Sequence, residues 1–309
     1  LTALLHDIGK PSAMCARHDR HRYLFKGHES VSAWIAWRLL SEEHLGLTRE
    51  QRLTIFSLVA LHGSLYLDWF QHNEILDHQR VARAFYGFGD RFWQRLIAQI
   101  QNDMQGQITT NPNQKADLLL MSSDVLGTFA QLRQDKNLID DRISCTFLVG
   151  LPGSGKSSFY QQQHNTLHKT KLLSRDDLLH QITGESDYRK AWQQQDKNPR
   201  ISKQIDQQLL VQFEQAIAQQ YSITIDMTNL SRKSRAYWLS RLPETYRAEA
   251  LIFITDDDTL YQRNRQRGHK YIPDQVIHDM MLRFEHPLFD EFDQIDYVIN
   301  GQRYALPTD

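Results

Sequence analysis

The sequence predicts two domains of different class: an all-α helical half followed by an α/β half with a parallel sheet. Three observations predict this. The chain has 309 residues, and compact domains run to about 100–200 residues each. Residues 1–135 show helical apolar spacing and no convincing strand pattern. Beyond residue 143, short β-branched and apolar runs alternate with helical stretches, the pattern of parallel strands joined by right-handed crossovers. The chain is therefore divided into residues 1–135, a linker at 136–143 and residues 144–309.

In the first half, Val31, Trp34, Ile35, Trp37 and Leu39 mark one helix of mixed pattern. Leu53, Phe56, Val59 and Ala60 keep the 3.6-residue period in a second, which stops at Gly63. Phe92, Leu96, Ile97 and Ile100 mark a third. Gly106 to Gln114 reads as a loop and Gln114 to Arg133 as a last helix. In the second half, Cys145 to Val149 is a buried strand by composition. Further strands are expected at Lys171–Leu173, Ile223–Met227, Ala250–Thr255 and Tyr297–Ile299, with a long helix over Ser202–Gln220. The Gln-rich runs at 161–163 and 193–195 read as solvated helix faces.

Composition narrows the function classes. There are 36 basic and 37 acidic residues, a net charge of -1. That balance excludes a protein that coats nucleic acid through overall charge, though not one with a local basic site. Hydrophobic residues at 40% and aromatics at 10% are too many for a disordered chain. No apolar run approaches the ~18 residues of a membrane span, so no membrane association is expected. Two cysteines, Cys15 and Cys145, exclude a disulfide framework and fit a cytoplasmic location. No secretory signal is recognised, and a start without Met inside an apolar segment leads us to expect that the natural N-terminus lies upstream.

The strongest motif is Gly150-Leu-Pro-Gly153-Ser154-Gly155-Lys156-Ser157, which fits G-x-x-x-x-G-K-[ST] directly after a strand and before a helix. Its glycines let backbone N–H groups wrap phosphates, and the following helix points its positive end at them. Lys156 would reach the β- and γ-phosphates, Ser157 would ligate Mg²⁺, and Ser158 follows in the same turn. The implied ligand is ATP or another nucleoside triphosphate with Mg²⁺.

Other residues bear on the acceptor. Ser174-Arg-Asp176-Asp177 follows a strand about 20 residues past the loop, at the carboxyl edge of a parallel sheet. A carboxylate there acts as general base toward a hydroxyl, or merely caps the next helix. Asp226 ends another strand, where it orients Mg²⁺ through water or forms a turn. Arg263 and Arg267 are four apart on a helix and share a face. They either fold over a triphosphate or form a solvated basic face.

Taken together, Gly150–Ser157, Ser174–Asp177, Asp226-Met-Thr-Asn229 and Gln262-Arg-Asn-Arg-Gln-Arg-Gly-His269 with Pro273 resemble the polynucleotide 5′-kinase domain of bacteriophage end-healing enzymes. The resemblance covers about residues 144–300. It implies that Asp176 is the general base for a 5′-hydroxyl, and that Arg263 and Arg267 are lid arginines on the donor phosphates. The family often has an Arg two residues after the Asp pair; here that position is Leu179. Acceptor contacts would then come from Arg175, Arg232 or Arg235.

A second constellation lies near the start. His6-Asp7-Ile-Gly9-Lys10-Pro11 sets imidazole beside carboxylate at the end of an apolar segment, a donor pair suited to Mn²⁺, Fe, Ni²⁺ or Co²⁺. Gly9 and Pro11 should break the helix there, and Lys10 could hold a phosphate. With His28-Glu29 at one helix start, His62 at another helix end, and Asp124-Val-Leu-Gly127 beyond, the series resembles the HD-type phosphohydrolases over about residues 1–133. The resemblance implies a first metal on His6, Asp7 and Asp124 plus a ligand outside this sequence. Asp117 is the rival for the carboxylate. His28 and His62 would serve a second metal or phosphate. His18, His21, His72 and His78 read as surface residues.

Both halves together resemble bacterial bifunctional end-healing enzymes. That implies action on RNA or DNA ends: 5′-OH phosphorylation by one half, removal or opening of 3′-phosphate or 2′,3′-cyclic phosphate by the other, and a separate RNA ligase acting next. Two other readings remain open. One is a kinase of a nucleoside or other small hydroxyl compound; the other is a nucleotide-binding regulator with a nucleotide-hydrolysing HD half.

Overall fold

The computed structural model describes residues 1–17, 22–25, 27–40, 45–63, 90–106, 141–164, 169–289 and 291–304. The expected loop at 106–114, the helix at 114–133, and Asp117, Asp124, His18, His21, His72 and His78 therefore lie outside the described residues, except that Gly106 itself ends a helix. The chain folds into two units. One joins Leu1–Asp140 to Met281–Ile295; the other joins Asp141–Met280 to Asp296–Tyr304.

The first unit is mainly helical. Two short helices, α1 (Thr2–Leu5) and α2 (Lys10–Ala13), flank the His6–Gly9 turn. Pro11 does not end the helix there. It stands in the first turn of α2, where its missing N–H costs nothing. Helices α3 (His28–Leu40), α4 (Arg49–Leu61) and α5 (Asp90–Gly106) follow. A reciprocal cap starts α4: Gln51 N–H donates to Thr48 Oγ1 at 3.2 Å, and Thr48 N–H donates to Gln51 Oε1 at 2.9 Å.

The expectation of an all-α first half needs one correction. Strands β1 (Cys15–Arg17) and β2 (Arg22–Leu24) pair antiparallel, with Ala16 opposite Tyr23. Each has three residues, too few for an alternating pattern to stand out in sequence.

The core of this unit is aromatic. Trp34 packs edge-on against Phe56, centroids 5.6 Å apart, and against Phe284 at the same distance. His286 lies beside Phe56, and its N–H donates to Ser30 Oγ at 2.9 Å. These contacts place residues 281–295, expected in the second half, within the first unit. Burial of Phe284, Phe289 and Phe292 supplies the driving force.

The second unit is built on a mostly parallel sheet. Its strands are β3 (Ile143–Val149), β4 (Thr170–Ser174), β5 (Ser222–Asp226), β6 (Tyr246–Ile254), β7 (Gln294–Ile299) and β8 (Gln302–Tyr304), in the order β4-β5-β3-β6-β7-β8. Strand β3 pairs in parallel with both β5 and β6, and β4 in parallel with β5. Only β8 goes beyond the expected strands; it pairs antiparallel with β7. Strand β3 alternates little because both its faces are covered: Cys145, Phe147, Leu148 and Val149 are all buried.

The helices of this unit are α6 (Lys156–His164), α7 (Arg175–Thr183), α8 (Tyr188–Lys197), α9 (Pro199–Ala218), α10 (Arg232–Leu239), α11 (Asp257–Gln266) and α12 (Asp274–Leu282), with a 3₁₀ turn at Gly268–Lys270 between the last two. No helix among the described residues is long and apolar enough to cross a membrane.

Candidate functional site

The phosphate-binding loop runs from the end of β3 into α6. Gly153 and Gly155 have φ of 86° and 96°, a region that side chains disfavour. Arg263 lies against the loop: a Cβ at Gly155 would be in ordinary contact with its Nη1 at 3.6 Å. Lys156 is buried and donates to the carbonyls of Gly150 and Leu151 at 2.7 and 2.8 Å. Burial lowers its pKa to about 8; Arg267 acts in the same direction, against Asp226 and Asp176.

Ser157 Oγ donates to Asp226 Oδ2 at 3.0 Å, joining the loop to the end of β5. Burial raises the pKa of Asp226, Lys156 and Ser157 oppose the shift, and Asp176 and Asp177 add to it. These two oxygens fit Mg²⁺, a hard cation held by hydroxyl and carboxylate.

The two arginines expected over the phosphates divide. Arg263 reaches the loop, as the Gly155 distance requires. Arg267 caps the end of α11, and its Nη1 is buried with no hydrogen-bond partner among the described residues. A buried guanidinium nitrogen left without an acceptor fits a phosphate oxygen. Ser154 Oγ in the loop is also buried without such a partner. Arg265 instead faces away to Asp274 at 3.3 Å. ATP with Mg²⁺ thus fits Gly150, Gly153, Ser154, Gly155, Lys156, Ser157 and Asp226. Ser158 is exposed at the start of α6.

The cap of the next helix is neither aspartate. Ser174 caps α7: its Oγ accepts from the Asp177 N–H at 3.2 Å. Asp176 is therefore not needed as the cap. Its Oδ2 accepts from Lys270 Nζ at 3.2 Å.

Two arginines expected near the acceptor are committed elsewhere. Arg175 pairs with Asp206 and donates to Ser202 on α9 at 2.9 Å. Arg235 is fully buried and donates to the carbonyls of Asn229 and Leu230 at 3.0 and 3.2 Å. Asn229 itself, at φ 49°, donates from Nδ2 to Leu148 O and Ile225 O at 3.0 and 3.1 Å. It ties β3 to β5 directly beneath the loop, a structural role that the sequence motif did not reveal.

In the helical unit, His6, Asp7, His28 and His62 come together. The ligand atoms of His6, Asp7 and His62 all lie within 4.8 Å of one another. His28 Nε2 is 3.1 Å from Asp7 Oδ1, and His62 Nε2 is 3.9 Å from the same oxygen. Each imidazole has its Nδ1 against a backbone carbonyl: His6 on Ala3 at 2.8 Å, His28 on Phe25 at 2.8 Å and His62 on Val59 at 2.7 Å. With each Nδ1 on a carbonyl, each Nε2 is turned toward Asp7 as the atom a metal would take.

Burial lowers the pKa of His62, which favours the neutral ligand form. Burial alone would raise the pKa of Asp7. The hydrogen bond from Lys10, with the charges of His6, Lys10 and His28, outweighs it and holds the carboxyl below the ordinary range. Lys10 Nζ is 2.5 Å from Asp7 Oδ2. Gly9 is needed for close approach: a Cβ would meet the Ser32 N at 2.5 Å, where the Gly9 N–H donates to Ser32 Oγ.

Asp124, expected as the carboxylate ligand, lies outside the described residues. Asp103 on α5 instead stands 3.4 Å from His6 Nε2. The sequence did carry a signal for it. Phe92, Leu96 and Ile100 are the buried stripe of α5, and Asp103 falls where that period calls for the next apolar residue.

Fold and loop together define the second unit as an α/β P-loop domain of the nucleotide-binding type. Residues 146–287 match the AAA domain family. No curated protein matches the chain.

Proposed function

We propose that the P-loop unit is an ATP-dependent kinase of nucleic-acid 5′-hydroxyl ends, and that the helical unit is a metal-dependent phosphohydrolase of 3′-phosphate or 2′,3′-cyclic phosphate ends. A P-loop alone serves ATPases and kinases alike. The kinase reading is carried by Asp176, a carboxylate released from capping and close enough to Lys156 and Asp226 to act on them electrostatically. In this reading Asp176 takes the proton as the acceptor O–H bond breaks. The acceptor oxygen bonds to the γ-phosphorus. The bond to the β-phosphate oxygen breaks, and its electron pair leaves on the nucleoside diphosphate.

Lys156, Arg263 and Arg267 neutralise the charge on the phosphates. Ser157 and Asp226 would hold Mg²⁺, which would offset the negative charge of the phosphates.

In the helical unit, His6, Asp7, His62 and Asp103 offer nitrogen and oxygen donors suited to Mn²⁺, Fe, Ni²⁺ or Co²⁺. Such a metal polarises a phosphoester and lowers the pKa of bound water. Lys10, paired with Asp7, would bind a substrate phosphate in this reading.

The test uses the full chain, an oligonucleotide with a 5′-OH and a 2′,3′-cyclic or 3′-phosphate end, γ-labelled ATP and a panel of divalent metals. Label at the 5′ end and loss of the terminal phosphate are expected. Label transfer to free nucleosides but not to oligonucleotides would reject the end-healing reading. ATP hydrolysis without any acceptor would reject the kinase.

A further inference from the structure

Asp176 has two close partners, Lys270 and Tyr188, to which phosphoryl transfer as described assigns no task. Lys270 Nζ donates to Asp176 Oδ2 at 3.2 Å. Tyr188 lies beside the same carboxylate, whose charge acts on its hydroxyl. The Lys270 ammonium also sits 4.9 Å from the centroid of the Tyr188 ring. Each member of this triangle comes from a different element. Asp176 is in the first turn of α7. Tyr188 opens α8, whose cap is Asp187, accepting from the Lys190 N–H at 3.1 Å. Lys270 ends the 3₁₀ turn after α11.

The Lys270 arm is built to hold its place. Asn264 is fully buried, and its amide grips the chain two residues past Lys270. Its Nδ2 donates to Ile272 O at 2.6 Å, and its Oδ1 accepts from Ile272 N–H at 3.1 Å. The Lys270 N–H donates to Arg267 O at 3.0 Å. The same short stretch therefore carries Arg263 and Arg267 at one end and Lys270 at the other. Burial and the Asp176 carboxylate push the Tyr188 hydroxyl up to about 12, so it stays a donor across the working range.

We infer that Lys270 and Tyr188 are positioning residues for phosphoryl transfer, holding the Asp176 carboxylate in the rotamer from which it receives the acceptor's proton. This rests on the reading of Asp176 as general base. A first-turn Asp has several open rotamers, and a misplacement of about 1 Å can cost about 100-fold in rate. The Lys270 hydrogen bond, with the Tyr188 ring packed against the same ammonium, restricts that freedom and leaves acceptor capacity for the incoming hydroxyl. The lysine has a second effect. Asp176, Asp177 and Asp226 crowd one sheet edge beside the expected triphosphate, and the Lys270 charge offsets their repulsion. Because Lys270 shares its stretch of chain with Arg263 and Arg267, the geometry of the base and that of the donor phosphates are set together.

The experiment compares Lys270→Met, Lys270→Arg, Tyr188→Phe and Asp176→Asn in the full chain. It measures kcat and KM for labelled phosphate transfer to a 5′-OH oligonucleotide, the Kd for ATP, and the thermal midpoint. Lys270→Met should lower kcat about 10- to 100-fold and leave the ATP Kd and midpoint unchanged. Lys270→Arg should recover most of the loss, and Tyr188→Phe should lose about 3- to 10-fold. Full kcat in both Lys270→Met and Tyr188→Phe, with Asp176→Asn inactive, overturns the inference alone. A kcat loss matched by weaker ATP binding or a lower midpoint overturns it too, making Lys270 a lid scaffold. Normal transfer by Asp176→Asn, or no transfer by the unmodified chain, removes the general-base reading itself.

Discussion

The two candidate sites are assembled in opposite ways. The phosphate loop takes eight consecutive residues, Gly150 to Ser157, and most of its donors are backbone groups. The candidate metal cluster draws single side chains from positions 6, 7, 28, 62 and 103, and each imidazole is aimed by a carbonyl of its own segment. The first kind of site needs a correct turn. The second needs a correct core, because helices α3, α4 and α5 must all pack before the donors meet. Errors in packing should therefore be felt more strongly at the metal cluster than at the loop.

The sharpest break of that contrast is Phe284→Ala. Phe284 is 1% exposed and packs on Trp34, so its truncation should cost about 3–5 kcal/mol. Thermal unfolding should show an early loss of the helical unit together with Mn²⁺ binding, while ATP binding is retained. Equal loss of both ligands would erase the distinction. A milder change, Asp103→Asn, removes one donor without disturbing the core. Mn²⁺ affinity should fall about 10- to 100-fold, with an unchanged thermal midpoint; wild-type affinity would remove Asp103 from the cluster.

The smallest effect is a pH dependence at the loop. Lys156, with its pKa lowered to about 8, is charged below that pH and neutral above it. ATP binding favours the charged form, so above pH 8 the free protein must take up a proton to bind. The Kd should then rise by up to about tenfold per pH unit. A titration with a fluorescent ATP analogue from about pH 7 to 9.5 reads it, and Lys156→Arg should flatten the curve.

The same contrast explains what could be read from the sequence. The loop, Asp226 and the strands β3 to β6 announce themselves within short windows. Ser174 as the cap of α7 is equally local, yet the neighbouring Asp176 and Asp177 are acceptable caps too, and only the hydrogen bond decides. Lys270 lies 94 residues from Asp176, and nothing in the spacing links the two. Arg235, expected among the acceptor contacts, is fully buried, because its guanidinium finds backbone carbonyls after β5. Asp103 was legible in principle, as an acid on an apolar stripe. The return of residues 281–295 to the first unit was not, since periodicity carries no address.

That return has a consequence for how the protein is made. A ribosome finishes residues 1–140 well before it reaches Met281. At about 5–20 residues per second, the intervening stretch takes roughly 7 to 28 s. Throughout that interval the nascent first unit lacks Phe284 and His286, and the faces of Trp34 and Phe56 that they cover stay open. The unit that begins first must wait, with apolar surface exposed, for a segment translated after most of its neighbour.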